Sequence, residues 1–268
     1  MFKFLDPFEK FKKCLEKNKL EEAIALIIAN SSITKNPYFI HCCAHSKNLE
    51  IIKLGLSFKP NYITQDDRGL NPLHFLASLK KFNIDEGYGS YFFYTPDDYK
   101  PSNKRTKKEA MKIHFNSSFN PKILKLLDRK KKYIHEVTPD MTLLAPIDIS
   151  FTDLDVDGVK SFLDHGTSLN KLIKKKMNYH KSIVKESWAG QEISVHKSML
   201  KIADQYYYMM LFGTFEETTL KDWDKITSIA RLMKKKGYKF DEKKLTKFQE
   251  TNDSEYKKKL KVFKSLIK

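Results

Sequence analysis

The strongest constraint on this chain is a repeat of roughly thirty-five residues. Asn36-Pro37-Tyr38-Phe39-Ile40-His41-Cys42-Cys43-Ala44 runs into Asn48-Leu49-Glu50-Ile51-Ile52-Lys53-Leu54 and then into Asn61-Tyr62-Ile63-Thr64-Gln65-Asp66-Asp67-Arg68-Gly69. The pattern restarts at Asn71-Pro72-Leu73-His74-Phe75-Leu76-Ala77. Periods of this length belong to helical solenoids, in which each unit buries its apolar face only against its neighbours. Such arrays present surfaces rather than catalytic pockets, so the functional reading begins with binding.

Apolar periodicity sets the local expectations. Phe8, Phe11, Leu15, Leu20, Ala23, Ile24, Ile27 and Ile28 fall at helical spacing, interrupted at Asn18, which predicts two short antiparallel helices over 7–30. Ser31-Ser32-Ile33-Thr34 reads as a loop. The next unit is expected to place Pro37 at the first helical position, where its missing N–H is harmless. Its helices are expected near Tyr38–Ser46 and Leu49–Ser57. The turn Asp66-Asp67-Arg68-Gly69 needs a positive φ that glycine supplies.

At Asn71 the chain resembles a known family. Asp67-Arg68-Gly69-Leu70-Asn71-Pro72-Leu73-His74-Phe75-Leu76-Ala77 is similar to the ankyrin-repeat signature D-x-G-x-T-P-L-H-x-A-A, with Asn71 in place of Thr. Asn48–Leu54 resembles that family's second helix. Asp155-Val156-Asp157-Gly158-Val159-Lys160-Ser161-Phe162-Leu163-Asp164-His165-Gly166-Thr167-Ser168-Leu169-Asn170 resembles the same helix and the loop after it. Its first helix is expected over Leu143–Ser150, with a kink at Pro146. Ile226–Gly237 is a later echo.

The resemblance implies an all-α, ankyrin-type helical solenoid with a long inter-helix insertion and a helical C-terminal unit. The expected parts are an N-terminal helical cap over 1–35, a repeat region over 36–170 with an insertion at 82–119, and a degenerate helical region over 171–268. Leu73–Leu79 is expected to pair with Pro121–Leu127 across that insertion. Lys171–Trp188 reads as an irregular basic connection into a helix near Ile193–Leu211. The resemblance also implies that His74 and its counterpart His41 are structural, holding turns by hydrogen bonds.

The remaining chemical motifs are thin. Cys14, Cys42 and Cys43 form neither a disulfide framework nor a CxxC pair. Cys42 and Cys43 replace the small residues of a helix interface, so burial is expected rather than nucleophilic reactivity. His41 and His45 share a helix face at i,i+4, but no third metal ligand accompanies them. Gly87-Tyr88-Gly89-Ser90 lacks the strand–loop–helix setting and the Lys-Ser/Thr of a phosphate loop. No cofactor and no metal is expected. An enzyme hidden in the C-terminal half would have to gather Asp153, Asp155, His180, Glu186 or His196, and no spacing forecasts it.

The insertion carries the most unusual composition. Tyr88, Tyr91, Phe92, Phe93, Tyr94 and Tyr99 are followed by Lys100, Lys104, Arg105, Lys107 and Lys108. Aromatics beside cations are the make-up of protein hot spots and of single-strand nucleic-acid platforms. The plainer alternative is aromatics packed back on the array beside a solvated Lys run. Tyr206–Phe212 is apolar enough for core packing. Lys171–Lys176 and Lys234–Lys236 read as solvated helix ends.

The chain carries 50 Lys and Arg against 33 Asp and Glu, a formal charge of +17. Arg stands only at Arg68, Arg105, Arg129 and Arg231. Base recognition favours the Arg fork, so this balance argues against sequence-specific DNA binding. With 41% hydrophobic residues the composition is globular. The acidic, proline-broken N-terminus does not read as a secretory signal, and no apolar run approaches a membrane span. The expectation is a soluble protein of a reducing compartment.

The function expected is therefore a non-catalytic protein–protein interaction module. Its contact residues are expected at the finger Tyr62, Gln65, Asp66, Asp67 and Arg68, and at Tyr88, Tyr91, Phe92, Tyr94, Tyr99, Lys104, Arg105, Lys107 and Lys108 of the insertion. The competing reading is an electrostatic binder of nucleic acid or an anionic membrane surface, with nucleic acid ranked below a protein partner. The insertion, degenerate repeats and Lys-rich composition also resemble ankyrin effectors of intracellular bacteria and viral host-range ankyrin proteins. That resemblance implies action in a host cytosol or nucleus.

Overall fold

The computed structural model describes residues 6–60, 65, 69–78, 119–139, 143–186, 190–203, 206–207, 211, 220–240 and 261–265. Among these residues every regular element is helical and none is a strand. No helix among them is long and apolar enough to cross a membrane. The chain forms two compact units, Met1–Pro146 and Ile147–Lys268.

The first unit is a stack of short helical pairs. Helices α1 (Pro7–Glu16) and α2 (Leu20–Ala29) form the first pair, separated at Asn18, whose φ is +55°. Helix α3 (Ser31–Lys35) occupies the segment expected to be a loop. The reason is Ile33: its side chain is fully buried, and α3 packs on α1, α2 and α4. Helices α4 (Phe39–His45) and α5 (Leu49–Ser57) form the second pair. Pro37 lies in the turn before α4, two residues ahead of the first helical position expected for it.

Helix α5 starts where Asn48 accepts the backbone N–H groups of Glu50 and Ile51, each at 3.0 Å. This side-chain cap satisfies two donors that the helix itself leaves open. Gly55 lets α5 close on α4, since a Cβ there would meet Cys43, Ile40 and Phe39 at 3.3 Å. Helices α6 (Pro72–Ala77) and α7 (Pro121–Leu127) form the third pair. α4 packs on both α1 and α6, and α5 packs on α7.

The second unit contains the rest of α8 (Pro146–Thr152), and then α9 (Val156–His165), α10 (Leu169–Glu186), α11 (Gly190–Ala203) and α12 (Leu220–Lys235). Pro146 opens α8 instead of kinking a helix already begun, because proline fits a first turn whose N–H groups have no partner. Asp155 caps α9 by accepting the Gly158 N–H at 3.0 Å, and Gly166 closes it at φ +115°. The loop expected over Gly166–Asn170 is cut short at Leu169, and the basic connection expected after it is an 18-residue helix. Leu169, Leu172 and Ile173 are buried and supply its apolar stripe. α10 and α11 form a hairpin, while α12 packs on α9.

Candidate functional site

Three first helices share one register. Leu70-Asn71-Pro72-Leu73-His74 aligns with Leu144-Ala145-Pro146-Ile147-Asp148, and the third residue of α4 is His41. His41 Nε2 lies 3.1 Å from the carbonyl oxygen of Leu70. His74 Nε2 lies 3.0 Å from the carbonyl oxygen of Leu144. Each is buried, and each bond ties one helix to the residue two positions before the start of another. His74 also accepts the Asn71 N–H at its Nδ1 (3.0 Å), while Asn71 Oδ1 accepts the Leu73 N–H (2.9 Å). With Nδ1 as acceptor, Nε2 carries the proton donated to Leu144.

The same contact organises the loops. Asn71 Nδ2 donates to Glu136 Oε2 at 3.2 Å. Thr138 N–H donates to the Leu144 carbonyl (3.0 Å), and Leu144 N–H donates to Thr138 Oγ1 (2.8 Å). Gly69 sits at φ +76°, and a Cβ there would overlap Pro139. Glycine is thus required twice at that position, for its conformation and for the close approach of the two loops. Behind them, Asp128 accepts the backbone N–H groups of Lys132, Tyr133 and Ile134 at 2.8, 3.2 and 3.1 Å.

Of the expected finger contacts, Gln65 is exposed. Tyr62, Asp66, Asp67 and Arg68 lie outside the described residues. So do Tyr88, Tyr91, Phe92, Tyr94, Tyr99, Lys104, Arg105, Lys107 and Lys108 of the insertion.

In the second unit, at the position of His41 and His74, stands Asp148. Its Oδ2 accepts from Lys176 Nζ at 2.7 Å, with both side chains almost completely buried. The Lys176 Nζ also lies 3.9 Å from the centre of the Tyr206 ring, a cation–π contact. Lys176 is therefore not part of a solvated helix end, as its neighbours in sequence led one to expect. Its stem follows the buried stripe of α10 and its charge is matched by an acid 28 residues earlier. Tyr207 packs on Phe151 at 5.1 Å between ring centres. Burial first, and then Asp148, holds the Tyr207 hydroxyl well above its ordinary pKa. Tyr207 and Leu211 are core, as the apolar run 206–212 implied.

One turn along α10 from Lys176 lies His180. Its Nδ1 is 2.6 Å from Nδ1 of His196 on α11, and both imidazoles are buried. Such a contact requires one ring to donate and the other to accept, so at least one Nδ1 is unprotonated. Burial, then His196, then Lys176 lower the His180 pKa to about 4. Of the five acid and histidine side chains weighed for a hidden activity, these two meet. Asp155 is spent on the α9 cap, and Glu186 is exposed at the end of α10. Periodicity does not reveal this cluster. The alignment of Pro146 with Pro72 does point to Asp148.

The cysteines are buried. Desolvation pushes Cys42 up to about 12 and Cys43 well above its ordinary value, so neither is poised as a thiolate. His41 already uses Nε2 on Leu70, and among the described residues no three His, Cys, Asp or Glu side chains gather as a metal site.

No protein family, no curated protein and no solved structure matches this chain, so its reading rests on its own residues and geometry.

Proposed function

We propose that the chain is a non-catalytic protein–protein interaction module of ankyrin-repeat type, engaging its partner through the finger around Gln65 and the aromatic–basic insertion at 82–119. The observation that carries this reading is the bond made twice in one register, from His41 to Leu70 and from His74 to Leu144. A histidine that caps its own helix and holds the next unit's backbone is what a repeat array needs, because each unit lacks a core of its own. Backbone anchored at Leu70 and at Leu144 by such bonds has less conformational freedom to lose when a partner binds beside it. The Tyr-rich, Lys- and Arg-flanked composition of 88–108 supports the insertion as the anchor. No chemical step is assigned.

The test is affinity capture with the full chain and with a version lacking residues 84–118, washed at low and at moderate salt. The reading expects a discrete protein partner that survives moderate salt and is lost with the deletion. Recovery of only nucleic acid or a broad set of acidic proteins, all released at moderate salt, overturns it in favour of binding by charge alone.

A further inference from the structure

The outward face of α10 presents a line of positive charge. Lys171, Lys174, Lys175, Lys181 and Lys185 are all exposed, with exposed Asn178 between them. At ~100° per residue these positions fall within an arc of about 120°, and at ~1.5 Å per residue they extend about 21 Å. The helix contains a single acidic residue, Glu186, at its last position. Among the described residues, Lys171, Lys174, Lys181 and Lys185 make no ion pair.

Some lysines elsewhere have an acid beside them. Lys12 pairs with Glu9 at 2.8 Å, Lys53 with Glu50 at 2.9 Å, and Lys236 with Asp164 at 2.8 Å. On α10 the spacings 171/175 and 181/185 set like charges at i,i+4, which costs a few tenths of a kcal/mol per pair. Lys171 also lies in the first turn, at the positive end of the helix dipole. These like-charge spacings are locally unfavourable, and Glu186 is the only acid on the helix.

We propose that the outward face of α10 binds the phosphate backbone of a double-stranded nucleic acid without reading its sequence. Along about 21 Å of duplex axis the two strands carry roughly twelve phosphates, and a straight stripe of lysines can face those on one side. Lysine is a point charge without the Arg fork that reads base edges, so recognition stops at the backbone. No exposed aromatic stands among the five lysines, so the face is not a stacking platform for single strands. An interfacial membrane helix inserts its apolar face into lipid, whereas Leu169, Leu172 and Ile173 of α10 are already buried in protein. This inference stands independently of the repeat-module reading.

The experiment measures binding of the full chain to a short DNA duplex of arbitrary sequence across a salt series. Two variants accompany it. One carries Lys171→Gln, Lys174→Gln, Lys181→Gln and Lys185→Gln. The other removes four exposed lysines of the first unit, Lys13→Gln, Lys122→Gln, Lys125→Gln and Lys130→Gln, and so has the same net charge. The wild type is expected to lose a few hundredfold in affinity between about 50 and 200 mM salt, a slope of roughly −4 in log K against log salt. The α10 variant is expected to lower that slope by about 3, and the control variant to leave it within about 1. Equal effects of the two variants would overturn the proposal, since net charge alone would then explain binding. So would a lack of duplex binding at low salt, or binding of phosphatidylserine vesicles in place of DNA.

Discussion

His74 Nε2 donates to the carbonyl oxygen of Leu144 across 3.0 Å, although seventy residues of chain separate them. The same bond runs from His41 to Leu70, 29 residues apart. The larger separation reflects the longer stretch of chain between α6 and α7 than between α4 and α5. His74→Ala would leave the buried Asn71 N–H unpaired and remove one donor from Leu144 O. A loss of about 2–3 kcal/mol is expected, against less than about 0.5 for Lys125→Ala on the exposed face. Urea denaturation of both variants checks this, and a near-neutral His74→Ala would contradict it.

Gly69 and Gly237 provide a matched comparison. Both have positive φ, +76° and +81°. A Cβ at Gly69 would overlap Pro139, whereas one at Gly237 has nothing within 4 Å. Gly237→Ala is therefore expected to cost about 1 kcal/mol from backbone strain alone, and Gly69→Ala clearly more, about 2–4. Adding Pro139→Ala to Gly69→Ala is expected to recover part of the excess. Thermal unfolding of the three variants separates strain from overlap, and equal losses at the two glycines would refute the close approach.

The buried pair of Lys176 and Asp148 makes a non-additive prediction. Removing one partner, as in Asp148→Leu or Lys176→Met, strands a charge in the core. The expected cost is about 3–5 kcal/mol for each. Replacing both together, Asp148→Leu with Lys176→Met, is expected to cost far less than the sum. A double-mutant cycle by chemical denaturation reads the coupling directly, and additive single losses would show that the pair contributes little.

The histidine pair predicts acid sensitivity. His180 has a folded pKa of about 4, below its ordinary value of 6.5. The folded chain therefore prefers the neutral ring. This contribution is fully present above about pH 6.5 and is lost as pH falls toward 4, by up to about 3 kcal/mol. After burial, His196 on α11 and Lys176 on α10 both disfavour its protonation. His180→Phe is expected to flatten the pH dependence over this window relative to wild type. Denaturation midpoints at pH 7 and pH 4.5 make the comparison, and an unchanged slope would rule out His180 as its source.

Much of the local structure was legible in residue order. Helix α5 over Leu49–Ser57 and helix α7 over Pro121–Leu127 begin and end as their caps and apolar spacing predict. The positive φ of Gly69 could also be read from a few neighbouring residues, while the hydrogen-bonding role of His74 was expected only through the family resemblance. Caps, turn glycines and helical periodicity act over one or two turns, and so they leave their mark within a short stretch of sequence. Where the reading failed, the deciding contact lay farther away. Ser31–Lys35 is a helix because Ile33 finds a pocket among α1, α2 and α4.

Lys176 shows the limit most plainly. By sequence it is the last of three consecutive lysines and looks like solvated charge; in the fold it is buried because Asp148 is there to receive it. His180 and His196 likewise become a pair only when α10 and α11 fold back on each other. The sequence by itself determined the capped, periodic helices such as α5 and α7, whose signals lie within one or two turns. The tertiary structure decided which polar side chains are buried, because the cost of burying a charge or an imidazole is offset only by a partner that chain folding brings within hydrogen-bond distance.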